Sequence, residues 1–300
     1  MGTRKESVVQ GEGEDFIEHL FTASTHDYLM FFTNNGRVYV RRVHEIPDMG
    51  RAAKGRNIAN LLELQPGEKI AALIRVESQQ DNNKKDLTWQ QERFLFFATE
   101  SGTVKKTALN AYANVRRTGI NAIGINEGDR LITVKLTTGH DEVVLITSDG
   151  KSIRFNEENV RSMGRTAAGV RGIRLGKEDR LVAAAIVAKE ATLLVAGENG
   201  IGKRTEFDEY RVQSRGGKGI ITMKTTAKTG GVCGALAVRD TDEIMLITVG
   251  GQMVRTGVEH IRMTGRNAQG VKLINLHGKD QLQAIAPVIS EDAADTDAEE

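Results

Sequence analysis

The sequence predicts an all-β protein built from repeated four-stranded units, and three observations carry that prediction. A pattern about 50 residues long recurs five times. The 300 residues include 32 glycines but only 3 prolines, which suits many tight turns better than a disordered linker. The apolar runs are 5 to 7 residues long, rich in Val, Ile and Leu and bounded by Gly and Asp, which favours strands. No helix of three turns is predicted.

Five glycines anchor the repeat: Gly36, Gly102, Gly150, Gly200 and Gly251, spaced by 66, 48, 50 and 51 residues. A polar insertion around Ser78 to Gln91 lengthens the first interval. The first strand is the apolar run before each anchor: Leu29–Phe32, Leu95–Ala98, Val143–Ile146, Leu193–Ala196 and Ile244–Ile247. The next position is Thr33, Thr99, Thr147 or Thr248, with Gly197 as the exception. The anchor glycine then closes a hairpin, as in Asn34-Asn35-Gly36 and Ser148-Asp149-Gly150, where positive φ is needed. A second strand is expected at Val38–Val43 or Ser152–Phe155.

Ten residues after the anchor, Ile46, Tyr112, Val160, Tyr210 and Ile261 mark an apolar packing slot. Fifteen residues after it, every copy has arginine: Arg51, Arg117, Arg165, Arg215 and Arg266. Gly55, Gly169, Gly219 and Gly270 follow at nineteen, and Gly119 at seventeen. A third strand is expected at Val170–Leu175 and Val271–Leu276. The fourth is expected at Ile70–Val76, Leu131–Leu136, Leu181–Val187 and Leu282–Val288. That last pattern also occurs at Phe16–Ala23, so the chain is expected to begin inside a sixth unit whose first three strands are missing. A unit of this size cannot bury both faces alone, and radial stacking of blades suits antiparallel sheets.

The net charge of +1 conceals an asymmetry. The last ten residues hold six acidic groups and no basic one, leaving 41 basic against 34 acidic residues, or +7, in residues 1–290. A basic body with an acidic tail is a pattern of nucleic-acid binders. Residues 1–289 are expected to form one repeat domain, and 290–300 a disordered tail. No apolar stretch reaches the ~20 residues that span a bilayer. No signal-peptide pattern opens the chain, so a cytoplasmic location is the expectation.

The candidate functional residues are cations at equivalent places. Four residues after the anchor stand Lys106, Arg154, Arg204 and Arg255, with Arg41 in that role in the first copy. Lys105 and Lys203 double them. Lys54, Arg116, Arg171 and Lys272 flank the loops that carry the arginines at fifteen. Radial stacking would place all of these on one curved rim suited to the phosphates of a bent duplex. Such contacts carry little sequence preference. Alternatively, the arginines at fifteen bind carbonyls or acids of a neighbouring blade, and the cations at four are simply solvated. The loop Gln213–Gly219 is the most distinctive. Gly216 and Gly217 let the backbone approach a phosphate, while Arg215 and Lys218 supply charge. Met163–Gly169 and Thr264–Gly270 are weaker versions.

Other chemistry is not indicated. Gly197 to Arg204 approaches a P-loop but lacks the final Ser or Thr and falls in a hairpin. Tyr112 and Tyr210 share a slot with Ile and Val, so they read as packing residues and not as nucleophiles. Tyr28 and Tyr39 lie in or beside strand patterns. The six histidines show no metal-ligand spacing, and His44 and His260 are expected on the surface. Cys233, the single cysteine, reads as a small core residue. No catalytic set, metal site or cofactor site is expected.

Six segments carry a resemblance: 34–39, 103–108, 163–166, 169–175, 242–248 and 265–271. Over residues 8–288 the chain resembles the C-terminal domain of bacterial DNA gyrase A. The resemblance implies a six-bladed β-pinwheel, a propeller-like disc whose blades exchange strands with their neighbours. It further implies a basic rim that wraps double-stranded DNA with positive handedness. The domain would then direct negative supercoiling by a holoenzyme made with the rest of gyrase A and the ATP-driven gyrase B. It would have no catalytic site of its own, and would lie in the bacterial cytoplasm, at the nucleoid. The family's Gln-Arg-Arg-Gly-Gly-Lys-Gly loop belongs to the first blade and is expected to fall before Met1. Gln213–Gly219 matches it with Ser214 for the first Arg, in a later blade. The corresponding domain of topoisomerase IV is the near alternative, and a protein-binding propeller scaffold the distant one.

Overall fold

A computed structural model describes residues 23–47 and 57–288. Arg51, Lys54, Gly55, the acidic tail and all but the last residue of the expected strand at 16–23 lie outside them. Among the described residues every helical segment is a single 3₁₀ turn, and the rest is strand and turn.

The strands fall into the five expected copies. The first copy has β1 (Tyr28–Thr33), β2 (Arg37–Arg42) and β3 (Ile70–Val76). The second has β4 (Phe94–Thr99), β5 (Thr103–Ala108), β6 (Ile120–Asn121) and β7 (Leu131–Thr137). The third has β8 (Glu142–Thr147), β9 (Lys151–Asn156), β10 (Val170–Arg171) and β11 (Leu181–Ile186). The fourth has β12 (Thr192–Gly197), β13 (Ile201–Glu206), β14 (Ile220–Ile221) and β15 (Val232–Val238). The fifth has β16 (Glu243–Thr248), β17 (Met253–Gly257), β18 (Val271–Lys272) and β19 (Leu282–Val288).

The first strand of each copy sits between its fourth and second strands and is buried on both faces, which is why it reads as an unbroken apolar run. The second strands of the first and third copies are partly open and alternate. All five anchor glycines have φ between 75° and 84°, as their hairpins require.

The third strand differs from expectation. It is two residues long where six were expected, and it joins the sheet of the preceding copy. The sheets are β3-β1-β2-β6, β7-β4-β5-β10, β11-β8-β9-β14 and β15-β12-β13-β18, with β19-β16-β17 as a three-stranded fifth. Pairing is antiparallel to the start of the preceding second strand, as in Arg37↔Asn121 and Val38↔Ile120. Two residues on, the chain reaches the hairpin tip and has nothing left to pair with. The following N–H instead donates to the anchor carbonyl of the preceding copy. Ala122 reaches Gly36, Gly172 reaches Gly102, Thr222 reaches Gly150 and Leu273 reaches Gly200, each at 2.8 Å. The glycines at nineteen permit the approach. A Cβ on Gly169, Gly219 or Gly270 would lie 2.3–2.4 Å from the carbonyl oxygen of Val104, Ser152 or Gly202.

The described chain forms two compact units: residues 23–141 with 156–172, and residues 142–155 with 173–288. The first holds two sheets around Met30, Phe32, Val38, Phe97, Tyr112 and Leu131, with Phe32 and Phe97 edge-on at 5.5 Å. The second holds three sheets, packed about more than one core. One core contains Val144, Leu193, Val195 and Tyr210, and another Leu194, Leu246, Ile261 and Ile274. The packing slot is buried at Tyr112, Val160, Tyr210 and Ile261. Cys233 is half-buried, with its thiol directed at the Ala196 carbonyl and pushed up to about 12, chiefly by burial. No helix among the described residues is long and apolar enough to cross a membrane.

Candidate nucleic-acid interface

The five copies present two kinds of cation. The second strands carry an inward set. Lys106 Nζ donates to the Glu157 carbonyl at 3.0 Å. Arg154 donates to the Phe207 carbonyl at 2.7 Å and the Tyr210 carbonyl at 3.2 Å. Arg204 Nε donates to the Ile261 carbonyl at 2.8 Å. In each case the acceptor belongs to the 3₁₀ turn after the second strand of the next copy, or to the residue that ends it. Arg154 is also paired with Glu142, and Arg204 with Asp240. Lys106 and Arg204 are 6% exposed, so these groups fasten one copy to the next.

Arg41 is likewise buried, donating to the carbonyls of Leu61 at 3.2 Å and Arg117 at 3.0 Å. Burial and the facing Arg117 push its pKa down. Lys105 and Lys203 are fully buried against carbonyls. The structure therefore corrects the expectation for Arg41, Lys105, Lys106, Arg154, Lys203 and Arg204 as rim cations. The physical reason is that turns and loops of the following copy present unpaired carbonyls, and a charged donor satisfies several of them at once. Arg255 supplies the contrast. It stands at the same position in the fifth copy, is exposed, and pairs with Glu243 of its own sheet at 2.9 Å.

The loops, and the short strands that follow them, carry the outward set. Arg116 and Arg117 are exposed in the second copy, Arg171 in the third, Lys218 in the fourth and Lys272 in the fifth. Arg165, Arg215 and Arg266 are half-buried, as are Gly216 and Gly217. Arg165 donates to the Asn121 carbonyl at 3.2 Å, and Arg266 makes the equivalent bond to the Ile221 carbonyl. Asn121 and Ile221 are the last residues of the preceding short strands. So these two arginines share their guanidinium between a neighbouring copy and solvent. Gly216 has φ of +83°, whereas the corresponding Thr166 and Asn267 keep negative φ, so the Gly-Gly loop differs in backbone course from its paralogues.

Three further cations escaped the sequence reading. Arg161, Arg211 and Arg262 are exposed one residue after the buried packing slot, in the third, fourth and fifth copies. Their signal was available, since all three stand eleven residues after an anchor glycine. Val212 and Met263 follow two of them and are themselves exposed.

Such loops offer guanidinium and ammonium groups to solvent, an arrangement for holding polyanions. Among the described residues no cluster of His, Cys, Asp or Glu could hold a metal ion. Tyr112 and Tyr210 are buried, as packing residues should be.

A family model described as DNA gyrase C-terminal domain, beta-propeller, matches residues 27–77, 93–138, 141–188, 191–238 and 242–289. Those five segments are the five copies. The DNA gyrase A protein of Salmonella typhimurium is 42% identical over 297 residues, covering 98% of this chain and 33% of that protein. Its counterpart from Haloquadratum walsbyi is 40% identical over 273 residues, covering 90% of this chain and 31% of that protein. The chain thus spans about a third of the length of these relatives. A solved DNA gyrase A C-terminal domain superposes with a TM-score of 0.74 at 28% identity, covering 89% of this chain and 84% of the other. A solved C-terminal domain of DNA topoisomerase IV gives 0.78 at 27% identity, covering 88% and 80%. With five matched repeats over most of its length, the chain belongs to the β-propeller family of DNA gyrase C-terminal domains.

Proposed function

We propose that this domain binds duplex DNA through its phosphates, without sequence preference, and wraps it. Six blades, one more than the five described copies, would complete the pinwheel. The observation that carries the proposal is an exposed arginine repeated at one place in three copies, Arg161, Arg211 and Arg262, with Arg171 and Lys272 exposed at the ends of matching short strands and Lys218 exposed in the Gly-Gly loop. Arg165, Arg215 and Arg266 add partly exposed charge beside them, Arg116 and Arg117 do so in the second copy, and Arg255 is exposed on the second strand of the fifth. Each such side chain would offer a contact to a phosphate, and phosphate contacts position a duplex without reading it. Within a gyrase, this domain would choose the sign of the DNA crossing. Cleavage and ATP hydrolysis would belong to the rest of gyrase A and to gyrase B, in the bacterial cytoplasm.

The test is duplex affinity against salt. The logarithm of affinity should fall by about 0.9 per phosphate neutralised for each unit of log salt. Salt-insensitive or absent binding would sink the proposal and favour a protein-binding scaffold. The topoisomerase IV likeness keeps a second reading in play. Relaxing plasmid in the domain's presence separates the two, since a gyrase-type wrap traps positive supercoils.

A further inference from the structure

We propose that Lys105 and Lys203 are positioning residues: each grips from beneath the cationic loop of the next copy and fixes the loop side chains that meet phosphate. The proposal rests on the DNA-binding reading above. Lys105 Nζ donates to the carbonyls of Ala122 at 2.6 Å, Gly164 at 3.1 Å and Arg165 at 2.6 Å. An ammonium has three N–H donors, and this one uses all three. Lys203 repeats the grip in the other unit, donating to the Gly265 carbonyl at 2.7 Å and to that of Arg266. The gripped carbonyls are those of the loop arginine and the glycine before it, both times. The third loop of this kind, residues 213–219, is backed differently. Ile153 stands where the lysines do, its Cδ1 3.5 Å from where a side chain on Gly217 would begin. Two loops are therefore clamped by charge, and beneath the third an isoleucine stands in the lysine's place.

The groups facing each lysine set its response to pH. Lys105 faces the Arg165 guanidinium, the Phe97 ring at 4.9 Å, and Tyr112, whose hydroxyl donates to the same Ala122 carbonyl at 2.9 Å. Lys203 faces Glu209 and Arg266, with Tyr210 bonded to Thr222 in the matching slot. Burial first, then Arg165, pushes Lys105 down to about 7. Burial, opposed by Glu209 and aided by Arg266, pushes Lys203 down to about 8.

A neutral amine has two N–H groups for three carbonyls, so deprotonation loosens the grip. A phosphate on the loop favours the charged form, so DNA binding takes up protons and affinity falls as pH rises. Folding responds with the opposite sign. The folded pKa lies below the ordinary 10.5, so the unfolded chain binds more protons between about 7 and 10.5, and these lysines make stability rise there. A purely structural lysine would not move affinity and stability in opposite directions.

The experiment titrates a fluorescent duplex with the full chain from pH 7 to 9.5 at fixed salt, beside thermal unfolding. Each linked proton contributes at most about tenfold per pH unit, and the expected fall for the native chain is about tenfold over the range. The Lys105→Met, Lys203→Met double variant should bind several-fold more weakly at pH 7 and show a flat profile. Lys272→Ala should bind more weakly throughout with the native slope retained. A native slope in the double variant would overturn the proposal. Should that variant not fold, calorimetry of the native chain in buffers of differing ionisation enthalpy replaces it, and absence of proton uptake near pH 8 is then decisive against. No binding by the native chain at any pH would instead defeat the DNA reading itself.

Discussion

Glu157 has no exposed surface, yet it is an acidic side chain with both oxygens engaged. It accepts from the backbone N–H of Gly139 at 2.8 Å and Asp141 at 2.9 Å, and from the Thr137 hydroxyl at 2.8 Å. Lys106 stands 3.9 Å away. Removing one member of a buried pair leaves the other's charge and several donors without partners. Glu157→Ala should therefore cost about 3 kcal/mol of stability, and a thermal midpoint within a degree or two of native would refute this. The loop arginines predict a contrast. Arg266→Ala removes the bond to the Ile221 carbonyl, so it should lower both stability, by about 1 kcal/mol, and DNA affinity. Lys272→Ala, on an exposed side chain, should lower affinity alone. Equal melting losses in the two variants would show that surface charge here is structural.

At the level of elements, the short strands carry the link between copies. Gly219 has φ of +72°, and a side chain there would begin 2.4 Å from the Ser152 carbonyl oxygen. Gly219→Val combines a disfavoured backbone angle with a backbone collision, so it should destabilise by about 2 to 3 kcal/mol. Hydrogen exchange should quicken first at β14 and β9, and uniform quickening across all sheets would contradict a local effect. The first strands were readable from sequence because burial on both faces writes itself as a continuous apolar run, and the fourth, only partly buried, were readable from their Val, Ile and Leu content. The third was not, because its partner lies a whole copy earlier, and hairpin length decides where pairing stops. Val170 to Leu175 looks like a strand by composition, and only the position of the Gly102 turn cuts it to two residues.

At the level of the molecule, the same logic divides the charges. That basic residues recur was plain from the sequence. Which of them reach solvent was not, because the sequence does not reveal which carbonyls the next copy leaves unpaired. Lys106 and Arg161 are both cations in repeated slots, yet one is enclosed and the other is open. Removing the overlooked set together, with Arg161, Arg211 and Arg262 all changed to Ala, should reduce the salt slope of DNA binding by up to about 2.7, if each meets one phosphate. The melting temperature should stay unchanged. A native slope would mean that the duplex passes elsewhere.

The loan of a short strand from each of the second to fifth copies to the one before has a consequence for how such a chain can grow. The period counted along the polypeptide is offset from the sheet assembled in space, so a piece cut at sequence boundaries leaves a sheet without its last strand. A genetic duplication tolerates this, whatever its boundaries, since every inserted copy receives its missing strand from the copy that follows. Lengthening or shortening the array therefore needs no new joint, only another turn of the same splice.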